Sequence, residues 1–107
     1  MVIRDIACRA EFLPDRMGKV TLASGERLFA GLNCLLPGQE HAAHVHSNQD
    51  KLYFILAGQG EAILGEEAHA VGEGDLVLAP AGLPHGLKNP GPGVMVVMVV
   101  FAPPPRQ

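Results

Sequence analysis

Charge is scarce in this chain: 18% of its 107 residues are Asp, Glu, Lys or Arg, and the formal net charge is −3. Sustained helical periodicity is missing as well. With nine prolines and thirteen glycines, the composition excludes a helical bundle, which would want more Glu, Lys and Ala and fewer breakers. No run of basic residues offers a track for phosphates, so nucleic acid is not an expected partner. The start, Met1-Val2-Ile3-Arg4-Asp5, lacks the apolar centre of a signal peptide. The longest apolar run, Val94 to Ala102, is too short to cross a bilayer as a helix. These absences lead to an expectation of a cytoplasmic protein with no membrane partner. Cysteine is also rare. Cys8 and Cys34 fit reduced thiols, and Cys34 in its apolar strand reads as a small buried hydrophobe. Glu61, Glu66, Glu67 and Glu73 read as surface residues and form no convincing acid–base pair.

What is present is a series of short β-rich runs separated by turn signals: Lys19 to Ala23, Arg27 to Leu36, His41 to His46, Leu52 to Ala57, Glu61 to Leu64, Ala68 to Val71, Leu76 to Ala79, His85 to Lys88 and Val94 to Phe101. Eight or nine strands at this spacing predict an all-β sandwich or barrel. The length predicts one domain over 1–107, with a core at about 19–102 and a stiff proline-rich tail at 103–107 that cannot join a ladder. Leu52, Phe54 and Leu56 alternate with Tyr53 and Ile55, so neither face of that strand looks solvated, and Val94 to Phe101 reads the same way. A chain this small cannot bury both strands alone, so a homodimer is expected.

The most informative residues are His44, Val45 and His46. Side chains two apart on a strand share a face, so both imidazoles can reach one point and offer two neutral nitrogens to a transition metal. His41, three residues earlier, has the opposite parity on a regular strand and reads as a rim residue or one that stands behind the ligands. His69, after an acidic turn, reads as exposed.

These histidines sit in a longer pattern. From Gly38 the chain runs through five residues to His44-Val45-His46, four more to Lys51 and six more to Gly58. From Gly74 it runs through five residues to Pro80-Ala81-Gly82, two more to His85 and three more to Asn89. The pair resembles the two-motif signature of the cupin superfamily, G-x5-H-x-H-x3-4-E-x6-G followed by G-x5-P-x-G-x2-H-x3-N. The second motif is matched at every fixed position, and the first at all but the glutamate. The glycines and Pro80 also have local reasons to be there: they shape tight turns and corners between strands.

The resemblance implies a jelly-roll β-barrel of two antiparallel sheets, with His85 joining His44 and His46 as a third ligand to one divalent transition metal: Zn, Fe, Mn, Ni or Cu. Three imidazoles on one side of an ion leave positions open for water and substrate. Lys51 stands where the family has glutamate. A protonated lysine cannot ligate and repels a dication, so three outcomes follow: Lys51 swings to the mouth, it is neutral or paired with an anionic substrate, or the metal is absent. Asp50, one residue earlier, is an alternative fourth ligand if the strand enters one residue sooner. Tyr53 shares parity with Lys51 and Asn33 is a lone amide in an apolar strand; with Lys51 they are the candidate substrate-pocket residues. The leading functional expectation is a metal-dependent enzyme of oxygenase, isomerase or decarboxylase type acting on a small oxygenated organic molecule. The alternatives are a non-catalytic module that binds or senses a small ligand, and a metal-free enzyme using Lys51 as base or Schiff-base amine.

Overall fold

The computed structural model describes residues 1–104. After a short 3-10 turn at Ile6–Arg9 come nine strands: β1 (Gly18–Ser24), β2 (Phe29–Leu35), β3 (Glu40–His44), β4 (Asp50–Ala57), β5 (Gln59–Leu64), β6 (Glu67–Gly72), β7 (Leu76–Ala79), β8 (His85–Lys88) and β9 (Met95–Ala102). They form two antiparallel sheets, ordered β1-β2-β9-β4-β7 and β3-β8-β5-β6. The all-β jelly-roll expectation holds in this form: a sandwich of two sheets, neither of which closes on itself. Of the tail expected at 103–107, residues 105–107 lie outside the described residues.

The alternating side chains of β4 and β9 divide cleanly. Tyr53 and Ile55 on β4, and Met95, Val97 and Val99 on β9, point inward. They join Leu35, Ala62, Val77, Ala79 and Leu87 in the main core. Burying each larger aliphatic side chain here stabilises the fold by roughly 1.5–3 kcal/mol. The opposite face is only half covered. Leu32, Cys34 and Val96 form a second cluster there, with Ala10 and Phe12 of the N-terminal segment packed on it. Further along that face Leu52, Phe54 and Leu56 are partly buried, and Leu76 and Leu78 of the paired edge strand are largely exposed. The expectation that neither face of β4 is solvated therefore holds fully only for the inner face in the single chain.

One strand departs from its expected span. β3 ends at His44, so His46 lies beyond it, next to the turn at Ser47 and Asn48. β3 stops there because its one neighbour, β8, begins at His85, the residue opposite His44. Within β3 the register shifts: His41 pairs with Leu87 but His44 pairs with His85, leaving one extra residue. Such a bulge kinks the strand and resets its parity. Gly86 makes room for it. A Cβ there would meet the His41 carbonyl oxygen at 2.5 Å and the Ala43 nitrogen at 2.9 Å.

Asn89 closes the corner after β8. Its Nδ2 donates to the carbonyls of Leu35 and Gly93, and its Oδ1 accepts from the Gly91 N–H, each at 2.9 Å. Its backbone joins in: Gly38 N–H donates to Asn89 O, and Asn89 N–H to Gln39 O. The last residue of the second motif thus fastens the start of β3 to the end of β8.

Candidate functional site

β3 and β8 bring three histidines together. The ligating nitrogens of His44, His46 and His85 all lie within 4.8 Å of one another. His46 is held by the short segment after β3 rather than by the strand itself, yet its ring centroid is 4.8 Å from that of His44 and 5.5 Å from that of His85. Two of the three rings are fixed by backbone carbonyls. His44 Nδ1 lies 2.9 Å from Ala42 O and His85 Nδ1 lies 2.9 Å from Leu83 O. A carbonyl only accepts, so in each ring Nδ1 carries the proton and Nε2 keeps its lone pair. Among the described residues the buried Nε2 of His85 has no partner. A buried lone pair held in this tautomer beside two more imidazoles is what a bound divalent ion satisfies, and the carbonyls are the kind of outer contact that orients metal-binding histidines. The residues present therefore fit one transition-metal ion. Burial, first of all, lowers the pKa of His46 and of His85, and their imidazole and lysine neighbours push the same way; the Leu83 carbonyl partly opposes this at His85. The neutral, ligating form is favoured.

His41 is the residue that parity misplaces. The bulge turns it to the same side, with its ring 4.4 Å from that of His44, and it lines the same cavity. Its Nδ1 is buried without a partner, and burial, reinforced by the charges of His44, Lys51 and Lys19, holds its pKa down to about 3. It stands beside the group of three without belonging to it. Gly86, whose missing side chain leaves room for the His41 to Ala43 backbone, is the residue in the sequence tied to this bulge.

The cavity has a volume of about 380 Å³, at the small end of the range typical of ligand sites. Lys51 is on its wall with 1% of its surface exposed. Its Nζ lies 4.8 Å from the centroid of Tyr53 and 4.5 Å from that of Phe101. Two aromatic faces stabilise a cation only in part, and burial, then the charge of Lys19, lowers the Lys51 pKa to about 8. Lys51 has thus gone inward, not out to the rim.

Asp50, exposed at the start of β4, stands outside the histidine group, and its Oδ1 accepts from the Ala81 N–H at 2.9 Å. Asn33 lines the cavity, 4% exposed, with its Nδ2 unpartnered. Tyr53 is not among the lining residues. It is packed in the core, its ring 6.2 Å from that of His85, its hydroxyl buried without a partner and its pKa raised by burial. His69 is exposed beside Glu67, and Cys34 is a buried thiol whose pKa burial raises; Cys8 is exposed.

Comparison with known proteins agrees with this fold. The family model described as a cupin domain matches residues 31–101. The crystal structure of TT1209 from Thermus thermophilus superposes with a TM-score of 0.94 at 38% identity, covering 98% of this chain and all of that one (100%). An RmlC-like cupin protein from Desulfovibrio desulfuricans gives a TM-score of 0.88 at 24% identity over 98% of this chain and 99% of its own. The Streptomyces coelicolor protein SCO3923 is 34% identical over 74 residues, 69% of each chain.

Proposed function

This chain belongs to the cupin family, and from that premise we propose that it holds one divalent transition-metal ion on His44, His46 and His85 and acts on a small oxygenated organic molecule in the adjoining cavity. The observation that carries this reading is the convergence of three imidazoles, two of them held in the ligating tautomer by Ala42 O and Leu83 O. A bound ion would supply Lewis-acid or redox chemistry of the oxygenase, isomerase or decarboxylase kind. The protein's own contribution is to keep the imidazoles neutral and oriented. It also encloses the substrate between apolar walls, with Asn33 and Lys51 as polar contacts. The absence of a carboxylate at position 51 leaves more of the ion's coordination sphere open than a histidine–glutamate set would.

The test is elemental analysis of protein purified without an affinity tag. Stoichiometric metal is expected, with at least a hundredfold loss of affinity in His85→Ala and a retained fold by circular dichroism. Full occupancy at a specific site in a variant lacking all three histidines would overturn the assignment. A second reading, a non-catalytic module that binds a small ligand, draws support from Lys51 in the usual carboxylate position; ligand binding unaffected by a chelator would select it.

The same proposal covers a single cupin domain with its core at about 19–102, working in the cytoplasm as a homodimer. Among the described residues no helix is long and apolar enough to cross a membrane. The half-covered face carrying Leu52, Phe54, Leu76 and Leu78 supports the dimer. Light scattering at micromolar concentration should give the mass of two chains.

A further inference from the structure

The cavity wall is electrostatically one-sided. It carries two lysines, Lys19 exposed at the edge and Lys51 buried, together with His41, His44 and His46. Among the described residues that line it, none is a carboxylate. Among the described residues Lys51 has no ion-pair partner within 4 Å; the salt bridges there are Arg16–Asp15 and His69–Glu67, both remote in sequence and at the surface. A buried cation without a counter-charge is costly, and aromatic faces do not discharge it. A second defect lies on the same wall: Asn33, 4% exposed, has an Nδ2 donor with no acceptor. Native interiors seldom leave such groups unmatched. On the shared neighbour β9, Asn33 pairs with Val97 and Lys51 with Phe101, so a ligand that repairs both brings an anionic group to Lys51 and a separate acceptor oxygen to Asn33.

We propose that the cavity takes a small organic carboxylate, its charge resting on Lys51 and a further acceptor oxygen of the same molecule meeting Asn33 Nδ2. The rest of the lining says what the body of the ligand is. Phe29, Val99 and Phe101 are apolar and suit a short hydrocarbon or carbonyl-bearing chain. A free phosphate would leave those walls unfilled and would bring more charge than one buried lysine balances. Exposed Lys19 adds attraction at the entrance, which raises the local concentration of anions. The proposal deepens the functional reading above and rests on it in taking this cavity as the small-molecule site. It does not need the metal, because neither Lys51 nor Asn33 is a ligand.

The experiment is calorimetric titration of chelator-treated protein with acetate, pyruvate, malate and benzoate, each set against its neutral amide, and with inorganic phosphate. At least one carboxylate should bind with one site per chain, and its amide at least tenfold more weakly. Lys51→Met should lower carboxylate affinity at least tenfold. Asn33→Asp, which keeps the shape of the side chain but adds a negative charge to the wall, should do the same and guards against a folding failure in the first variant. The proposal is overturned if no carboxylate binds saturably at millimolar concentration. It also fails if an amide matches its acid, if phosphate alone binds, or if folded Asn33→Asp keeps the wild-type affinity. Elemental analysis before chelation reads the histidine site separately, so an empty histidine site with intact carboxylate binding would reject the metal reading alone.

Discussion

The same strands build two unlike ends of one interior. At one end β2 contributes Leu35, β4 Ile55, β8 Leu87 and β9 Met95 and Val97, all fully buried and all apolar. At the other end, on the same inward faces, β2 contributes Asn33, β4 Lys51, β8 His85 and β9 Phe101. A step of two to six residues along a strand changes a close-packed core into a polar chamber with three buried atoms lacking partners, Asn33 Nδ2, His41 Nδ1 and His85 Nε2. The lesson is a division of labour: hydrocarbon at the closed end supplies the stability that lets the open end hold groups a protein alone does not satisfy.

Three substitutions bear on that contrast. The largest effect should come from the closed end. Ile55→Ala removes a fully buried side chain from the main core and should cost about 2–5 kcal/mol in denaturant unfolding. Metal and ligand affinities of the folded protein should change little. A loss of less than about 1 kcal/mol would show that the closed end is not the main stabiliser.

At the open end the sign should reverse. Lys51→Met replaces a buried, unpaired cation with a side chain of similar length, so the metal-free variant should be more stable than the wild type. Because the Lys51 pKa falls from 10.5 to about 8 on folding, the unfolded chain binds the extra proton between those values. Wild-type stability should therefore rise with pH across that window. The advantage of the variant should be greatest below pH 8, at most roughly 3 kcal/mol, and should fade toward pH 10.5. Unfolding of both proteins at several pH values isolates the lysine from other titrations, and a constant difference would refute its buried charge. The smallest of the three effects is Lys51→Glu, which places a carboxylate where the cupin signature has one. It should tighten metal binding at least tenfold, about 1.4 kcal/mol, as read by competition with a chelating dye. Unchanged affinity would mean that this position does not reach the ion.

Much of this was legible in the sequence because glycines, prolines and alternation report directly on turns and strands. Every strand was anticipated within a few residues, and His44 on β3, His46 just after it and His85 on β8 do converge. What pattern alone misjudged was the local path of β3. An extra residue at Ala42-Ala43 costs nothing in composition, yet it turns His41 into the cavity. The direction of Lys51 was equally open from pattern, since it depends on whether Tyr53 and Phe101 offer their faces to Nζ. Parity placed Tyr53 inward correctly but could not foresee that the core would enclose its hydroxyl away from the cavity.

The strand order carries one more consequence, for the time course of folding. β3 lies at the edge of its sheet with β8 as its neighbour, and about forty residues of chain separate His44 from His85. The β5–β6 hairpin on the far side of that sheet closes through a short turn and can form early. The contact that assembles the three imidazoles is slow and non-local by comparison, so the site comes into being only when the topology is nearly complete. Anything that binds all three histidines then recognises the finished fold and not the nascent chain, and by mass action it holds the edge strand in place.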